Sequence, residues 1–403
     1  MSQLSFLCIS TFFKGEPFLK ACKELGNTVY LLTVEKLRNH PWPHEAIDEI
    51  FYLPNELNSS ENLDIMLKGL AHVMRSRRID RVVALDDFDV EKAALVRETF
   101  RFDGMGLTTS RYFRDKLAMR IRAQSAGIRV PAFSPLFHDE SITEFLRSTE
   151  APWLIKPRSE ASATGIRKVH SLDEAWQAIH ALGELRHNYL IEQFKPGKVY
   201  HVDSLSLDCT VIFTRCSQYL ATPMEVAHGG GVFRTMVMPH DGLETLALQQ
   251  LNQQVLKAFG MRYSASHSEY IKGDHDGELY FLETSSRVGG AHIAEMVEAA
   301  SGINLWREWA RLESAVARNL PYHLPDEQYH YAGLIVSLAR QEWPDQSVFT
   351  EPEIWWRMHK EHHVGLIVRS GDRNRIQQLL DDYIQRIFTE FHASAPVPDR
   401  PTN

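Results

Sequence analysis

The sequence predicts a mixed α/β and α+β protein in three parts. These are an N-terminal lobe on a parallel sheet (residues 1–110), a two-part central unit (residues 111–320, with residues 152–215 as a lid) and a small C-terminal α+β lobe (residues 321–403). Three observations predict this. Residues 1 to about 105 alternate short apolar runs with amphipathic helical ones, the rhythm of a parallel sheet with helices on both faces. Residues 151–216 place a run of small residues between two strands. From Pro321 the pattern changes to two strands and one long amphipathic helix.

In the N-terminal lobe, strands are expected at Ser5–Ser10, Thr28–Thr33, Glu49–Leu53 and Arg81–Leu85, and helices at Glu16–Leu25, Glu61–Arg77 and Asp89–Phe100. Ligands of such sheets sit at the carboxyl ends of strands. Asp86-Asp87-Phe88-Asp89 lies at such an end and reads as a helix N-cap cluster. The loop Thr11–Gly15 lacks the GxGxxG pattern, so dinucleotide binding by this lobe is unsupported.

Composition narrows the function. A net charge of −8 argues against a general nucleic-acid surface and a polybasic membrane anchor. Cys8, Cys22, Cys209 and Cys216 show no CxxC spacing and read as reduced thiols of a cytoplasmic protein, a Cys209–Cys216 disulfide being disfavoured. The histidines contain no HExxH pattern. No apolar run reaches transmembrane length, and the N-terminus reads as a first strand, not a signal peptide.

In the central unit, Arg114-Asp-Lys-Leu-Ala-Met-Arg120 opens a helix ended by Gly127. Trp153–Lys156 is a strand ending in a lysine. Ser159–Gly165 is the small-residue loop, including Ser162, Ala163 and Thr164, and Ile166–Val169 is a further strand. Such a loop can fold over a polyphosphate and offer backbone N–H groups, while a plain surface hairpin is the bland alternative. A helix (Leu172 to about Leu185), the strand Tyr189-Leu-Ile-Glu192-Gln193-Phe194 and the strands Val199–Leu207 and Thr210–Arg215 follow. Ala227-His228-Gly-Gly-Gly-Val-Phe-Arg234 reads as a glycine-rich lid or substrate loop with His228 and Arg234 at its ends.

Glu269–Gly290 reads as a β-hairpin turned at Asp274–Gly277. Folding back on the turn brings Glu269 and Glu283 together, and two converging carboxylates call for a cation between them. Mg²⁺ favours one or two carboxylates plus phosphate oxygens. Arg287 follows where it can meet an anion, and Gly289-Gly290 allow a ligand close to the backbone before the next helix.

These pieces, in this order over about residues 1–310, resemble the ATP-grasp superfamily of carboxylate–amine ligases, nearest in outline to members that include amino-acid (dipeptide) ligases and biotin-carboxylase-like enzymes. The resemblance implies that Lys116 and Lys156 contact ATP phosphates, that Ser159–Gly165 is the phosphate lid, and that Glu192, Gln193 and Phe194 form the adenine hinge. It implies Mg²⁺ on Glu269, Glu283 and Ser285, with Mn²⁺ also compatible, and Arg287 holding phosphate and the developing acyl phosphate. Two positions depart from the family pattern. Ser285 stands where Glu-x-Asn-x-Arg would have asparagine, and Gly197-Lys-Val199 replaces Gly-x-Glu, so no ribose contact is carried over. The expected partners are a small-molecule carboxylate and an amine, amino acids first among them, with no nucleic acid and no membrane; a homodimer is compatible. The rivals are carboxylation through carboxyphosphate, against which the lack of a Met-Lys-Met segment weighs, and a nucleotide-binding protein without catalysis.

Overall fold

A computed structural model describes residues 3–54, 60–160 and 164–394. The loop residues Ser162 and Ala163 lie outside the described residues, as does the chain from 395 onward. Parallel pairing organises the first hundred residues through β1 (Ser5–Ile9), α1 (Glu16–Glu24), β2 (Thr28–Val34), β3 (Glu49–Leu53), α2 (Ser60–Val73), β4 (Arg81–Ala84) and α3 (Val90–Phe100). The strand order is β3-β2-β1-β4. Phe6, Cys8 and Leu31 pack with Phe18 and Leu19 of α1 on one face, while Leu7, Ile9 and Val82 pack with Met66 and Val90 on the other. Burial on both faces explains the near-continuous apolar strands. The chain moves from β1 to one side and returns to the other for β4. The crevice at this switch, at the strands' carboxyl ends, is where such sheets bind ligands. It is lined by the loops after β1 and β4, which Thr11 N and Oγ1 join by donating to the Asp89 carboxylate (both 2.7 Å).

A second layer follows. α4 (Leu107–Arg111) and α5 (Lys116–Ser125) lead to β5 (Phe133–Pro135), α6 (Asp139–Ser148), β6 (Trp153–Pro157), β7 (Arg167–Val169), α7 (Leu172–Ala181) and β8 (Tyr189–Gln193). The strands form a four-stranded antiparallel sheet, β5-β8-β6-β7. Ile142, Phe145, Ala175 and Ile179 of its helices pack on Trp153 and Ile155.

Here the structure corrects the expected lid of residues 152–215. The layer begins at β5, and the strands expected at Val199–Leu207 and Thr210–Arg215 are not in it. They are β9 (Gly197–Leu207) and β10 (Thr210–Tyr219), joined at Asp208 and Cys209 with φ of 50° and 63°, and they belong to a separate eight-stranded sheet. The cause is β9's pairing along nearly its whole length with a strand far ahead in sequence, from Ser264↔Ser206 to Gly273↔Gly197. Cys209 and Cys216 are free thiols, exposed and buried respectively.

The chain continues through α8 (Pro223–Gly229), β11 (Phe233–Val237), α9 (Leu243–Phe259), β12 (Ser264–Gly273), β13 (Leu279–Ser285), α10 (Ile293–Ser301) and α11 (Leu305–Ala317). The glycine-rich loop expected at Ala227–Arg234 is thus mostly a helix followed by a strand. A capping box formed by Thr222 and Glu225, with Pro223 behind the cap, starts that helix and outweighs the glycines that end it. Finally β14 (Tyr331–Leu338), β15 (Ile354–Arg357), β16 (His363–Ser370) and α12 (Arg373–Glu390) complete the described fold. β14 pairs with β11, so the large sheet runs β13-β12-β9-β10-β11-β14-β16-β15. The C-terminal lobe is therefore a continuation of the central sheet, covered by Ile376, Leu380 and Tyr383 of α12. Among the described residues no helix is long and apolar enough to cross a membrane.

Candidate active site

The hairpin turn, with Gly277 at φ 68°, sets the register of β12 and β13 so that Glu269 and Glu283 are direct cross-strand partners. A bulge follows between Glu269 and Tyr270. Each carboxylate is fixed by one oxygen. Tyr219 donates its hydroxyl to Glu269 Oε1 at 2.7 Å, and Lys116 Nζ lies 2.9 Å from Glu283 Oε2. Burial alone would raise the Glu283 pKa, and the Lys116 ammonium more than offsets this and holds it low. The second oxygen of each glutamate has no hydrogen-bond partner among the described residues. Two hard, partly free carboxylate oxygens on adjacent strands fit a Mg²⁺ or Mn²⁺ ion.

Lys116 is the first residue of α5, placed there by Asp115, which caps the helix by accepting from Leu117 N at 2.9 Å. This helix start also grips the beginning of the small-residue loop. Lys116 N donates to Arg158 O at 2.8 Å and its Nζ to Glu160 O at 2.7 Å. Arg158 pairs with Asp115, and Arg114 donates to Ser159 O. Thr164, on the far side of the loop, is buried.

Lys156, buried at the end of β6, pairs with Glu192 of β8. Arg120, one helical turn after Lys116, reaches the same carboxylate through Nε (3.0 Å) and Nη2 (2.9 Å) and also donates to Leu282 O. It thereby ties the lid sheet to β13. Burial pulls the Lys156 pKa down to about 8, aided by Arg120 and Lys116 and opposed by Glu192. Glu192 is thus a buried counter-ion. The N–H groups of Gln193 and Phe194 are committed to Ala132 O (2.8 Å) and Pro152 O (3.0 Å), and the Lys168 ammonium sits 3.6 Å from the Phe194 ring centroid. An adenine edge at this hinge would have to meet other atoms of these residues.

Arg287, just past β13, pairs with Asp87 at the carboxyl end of β4. Asp86, not Asp87, is the helix cap, accepting from Phe88 N at 3.1 Å, which corrects the reading of the whole acidic run as caps. Burial would raise the Asp87 pKa, but Arg287, then Arg114 and Ser285, hold it well below the usual carboxylate range. Ser285 therefore faces Asp87 across the site. Asp87 Oδ1 and Arg287 Nε are buried with no hydrogen-bond partner among the described residues.

The remaining expected substrate residues separate. A Cβ on Gly289 would lie 2.8 Å from Asp203 Oδ1 and 3.0 Å from His267 Nδ1; this glycine is required by a buried contact and does not face open space. Gly290 has open space at its Cα and precedes α10, entered through left-handed Ala291 and His292. Arg234 pairs with Asp381 of α12 at 3.1 Å, a link between β11 and the C-terminal helix. His228 is on α8.

Sequence reasoning did not single out Arg120 or Tyr219, and it named Asp87 only within the Asp86–Asp89 run at the end of β4. Arg120 was findable, four residues after Lys116 and hence on the same helix face. Tyr219 had no local signal.

No family model matches the chain. It is 24% identical over 302 residues to an L-arginine-specific L-amino acid ligase of Bacillus subtilis, covering 73% of this chain and 71% of that one. It is 24% identical over 206 residues to D-alanine–D-alanine ligase B of Chromobacterium violaceum, covering 50% and 67%. The crystal structure of an L-amino acid ligase from Bacillus licheniformis superimposes with a TM-score of 0.76 at 16% identity, over 97% of this chain and 98% of that one. The chain is thus similar in sequence to amino-acid ligases and shares its fold with a solved L-amino acid ligase.

Proposed function

We propose that the protein activates a carboxylate as an acyl phosphate at the expense of ATP, releases ADP, and couples the acyl group to the amine of an amino acid to form an amide. The observation that carries this is the direct pairing of Glu269 with Glu283, with Lys116 on one carboxylate and Arg287 four residues beyond. Glu269 and Glu283 would hold Mg²⁺ or Mn²⁺, which when bound neutralises phosphate charge and aligns the transferred group.

The chain's residues account for the rest. Lys116 and Lys156 present ammonium groups to the phosphates, beneath the loop that Arg114 and Asp115 anchor. Arg287 stabilises the charge spread over the transferring group and the acyl phosphate. Closure of the lid sheet keeps water from that intermediate. The neighbouring free acceptor of Asp87 and free donor of Arg287 match the ammonium and carboxylate of an α-amino acid, because buried polar atoms demand partners. The sequence relatives favour amide formation over carboxylation.

The test is ADP and phosphate release with ATP and Mg²⁺ across a panel of amino acids, singly and in pairs, with and without bicarbonate. Release that requires a carboxylate plus an amine, with a dipeptide or amide seen by mass spectrometry, is expected. Release that depends on bicarbonate would replace this reading with carboxylation. ATP binding without turnover under every mixture would reduce the protein to a nucleotide binder.

A further inference from the structure

Beneath Glu269 runs a row of buried polar side chains that the proposed chemistry does not use. The pleat of the large sheet lines them up: His201 and Asp203 on β9, His267 and Glu269 on β12, Tyr219 on β10 and Thr235 on β11. In the register, Glu269 opposes His201, His267 opposes Asp203, and Tyr219 opposes Thr235. Residues two apart on a strand share a face, so one side of the sheet carries a continuous chain of contacts. His201 Nε2 lies 2.7 Å from Thr235 Oγ1, and His201 Nδ1 lies 2.7 Å from Asp203 Oδ2. Asp203 Oδ1 lies 2.8 Å from His267 Nδ1, and His267 Nε2 lies 3.6 Å from Glu269 Oε1. Tyr219 closes the end, donating to that same Oε1 at 2.7 Å and standing 3.5 Å from His267 Nε2. His201 and Asp203 are completely buried and His267 nearly so.

Two histidines and a carboxylate whose ligating atoms lie within 4.8 Å of one another could hold a metal ion. The contacts argue against it. Both Nδ1 atoms already meet the two oxygens of Asp203, and the backbone of Gly289 presses on that very pair, close enough that a Cβ would overlap Asp203 Oδ1 and His267 Nδ1. Within the cluster the Nδ1 atoms are taken up by Asp203, and His267 Nε2 faces Glu269.

We propose that Tyr219 and His267 are positioning residues for the metal-binding carboxylate. They fix Oε1 of Glu269 so that its other oxygen is presented to the metal, while Asp203, braced by His201 and Thr235, locks the His267 ring. The inference rests on the reading of Glu269 as a metal ligand. The physical reason is entropic and directional: a glutamate free to rotate must be ordered each time it binds a cation, whereas a hydrogen-bonded one is ordered in advance. Because Gly289 rests on the Asp203–His267 pair two residues after Arg287, the same cluster also sets the loop that carries the arginine.

The experiment measures Mn²⁺ binding in the presence of ADP, by the electron paramagnetic resonance signal of free Mn²⁺. It uses the full chain as wild type, Tyr219→Phe, His267→Gln, Glu269→Gln, the Tyr219→Phe/Glu269→Gln double variant and a Glu269→Gln/Glu283→Gln double variant. Tyr219→Phe removes one hydroxyl and keeps the ring, so it remains informative should His267→Gln fail to fold. Expected are a Mn²⁺ affinity about 10- to 100-fold weaker in Tyr219→Phe, an unchanged ADP affinity without metal, and no further loss when Tyr219→Phe is added to Glu269→Gln. An unchanged Mn²⁺ affinity in folded Tyr219→Phe would overturn the proposal, as would an equal loss in the Glu269→Gln background. A Mn²⁺ ion still bound when both glutamates are replaced would instead make the histidine cluster a metal site, and would overturn it too. Wild type that takes up no Mn²⁺ with ADP would remove the proposed function itself, an outcome distinct from these.

Discussion

Arg120 has no exposed surface, and Glu192 and Leu282 O satisfy its guanidinium. Its removal leaves Glu192 paired with Lys156 alone and Leu282 O without this donor, and losing hydrogen bonds to a charged group costs about 1.5–3 kcal/mol. Arg120→Met should therefore lower unfolding stability by that order in urea titration. A change within ~0.5 kcal/mol would show that the network is not closed around this residue. Lys156 offers a pH test. Its folded value, about 8, lies below the 10.5 of a free lysine. Between those values the unfolded chain holds a proton the folded one has lost, so this residue's contribution to stability rises with pH across that window. Its function runs the other way: the ammonium meets phosphate only when charged. ATP affinity of the free protein, followed by calorimetry, should fall as pH passes through about 8, and Lys156→Met should erase that inflection. At this scale the sequence displayed lysines and acids but not their partners. Asp87 looked like one more helix cap because its neighbour Asp86 is one, and only the fold brings Arg287 to it.

The β12–β13 hairpin shows what is legible in an element. Alternation and an Asp-Gly turn within one short stretch specify both strands and their register, so the approach of Glu269 to Glu283 could be read before any fold was known. β9 was also legible as a strand, but its partner β12 lies more than fifty residues on, and no local pattern records that pairing. Hence the misplaced lid boundary. At Ala227–Arg234 the glycines drew the reading toward a loop, although Thr222 and Glu225 upstream carried a capping signal. Gly289 gives the prediction proper to this scale. Gly289→Ala forces a methyl against Asp203 and His267, and overpacking of this kind costs about 1–3 kcal/mol. Thermal unfolding should drop accordingly, and Gly290→Ala, with open space at its Cα, should not. Equal effects at the two glycines would contradict the packing described.

Across the whole molecule, one sheet of eight strands runs from the Glu269–Glu283 hairpin to the C-terminal lobe. The three-part order of the chain was readable from its changing periodicity, but the continuity of that sheet was not, since β11 and β14 are separated by three helices and a hairpin. Arg234 illustrates the consequence. It ties β11 to α12 through a half-exposed pair with Asp381, worth no more than about 1 kcal/mol. Asp381→Ala should leave the preferred substrates unchanged in a competition panel; an altered preference would return Arg234 to the substrate site. The N-terminal lobe supplies Asp87, the lid supplies Lys156, and the large sheet with the loop after β13 supplies Glu269, Glu283 and Arg287, so the proposed chemistry needs all three parts together. Glu283→Gln should accordingly abolish turnover while the protein stays folded by circular dichroism. The most direct test of the central claim is to supply the accepted carboxylate substrate labelled with ¹⁸O in both oxygens and analyse the released phosphate by mass spectrometry. Attack of the carboxylate on the γ-phosphoryl group predicts one ¹⁸O atom in each phosphate formed. Unlabelled phosphate, or label found in AMP, would contradict it.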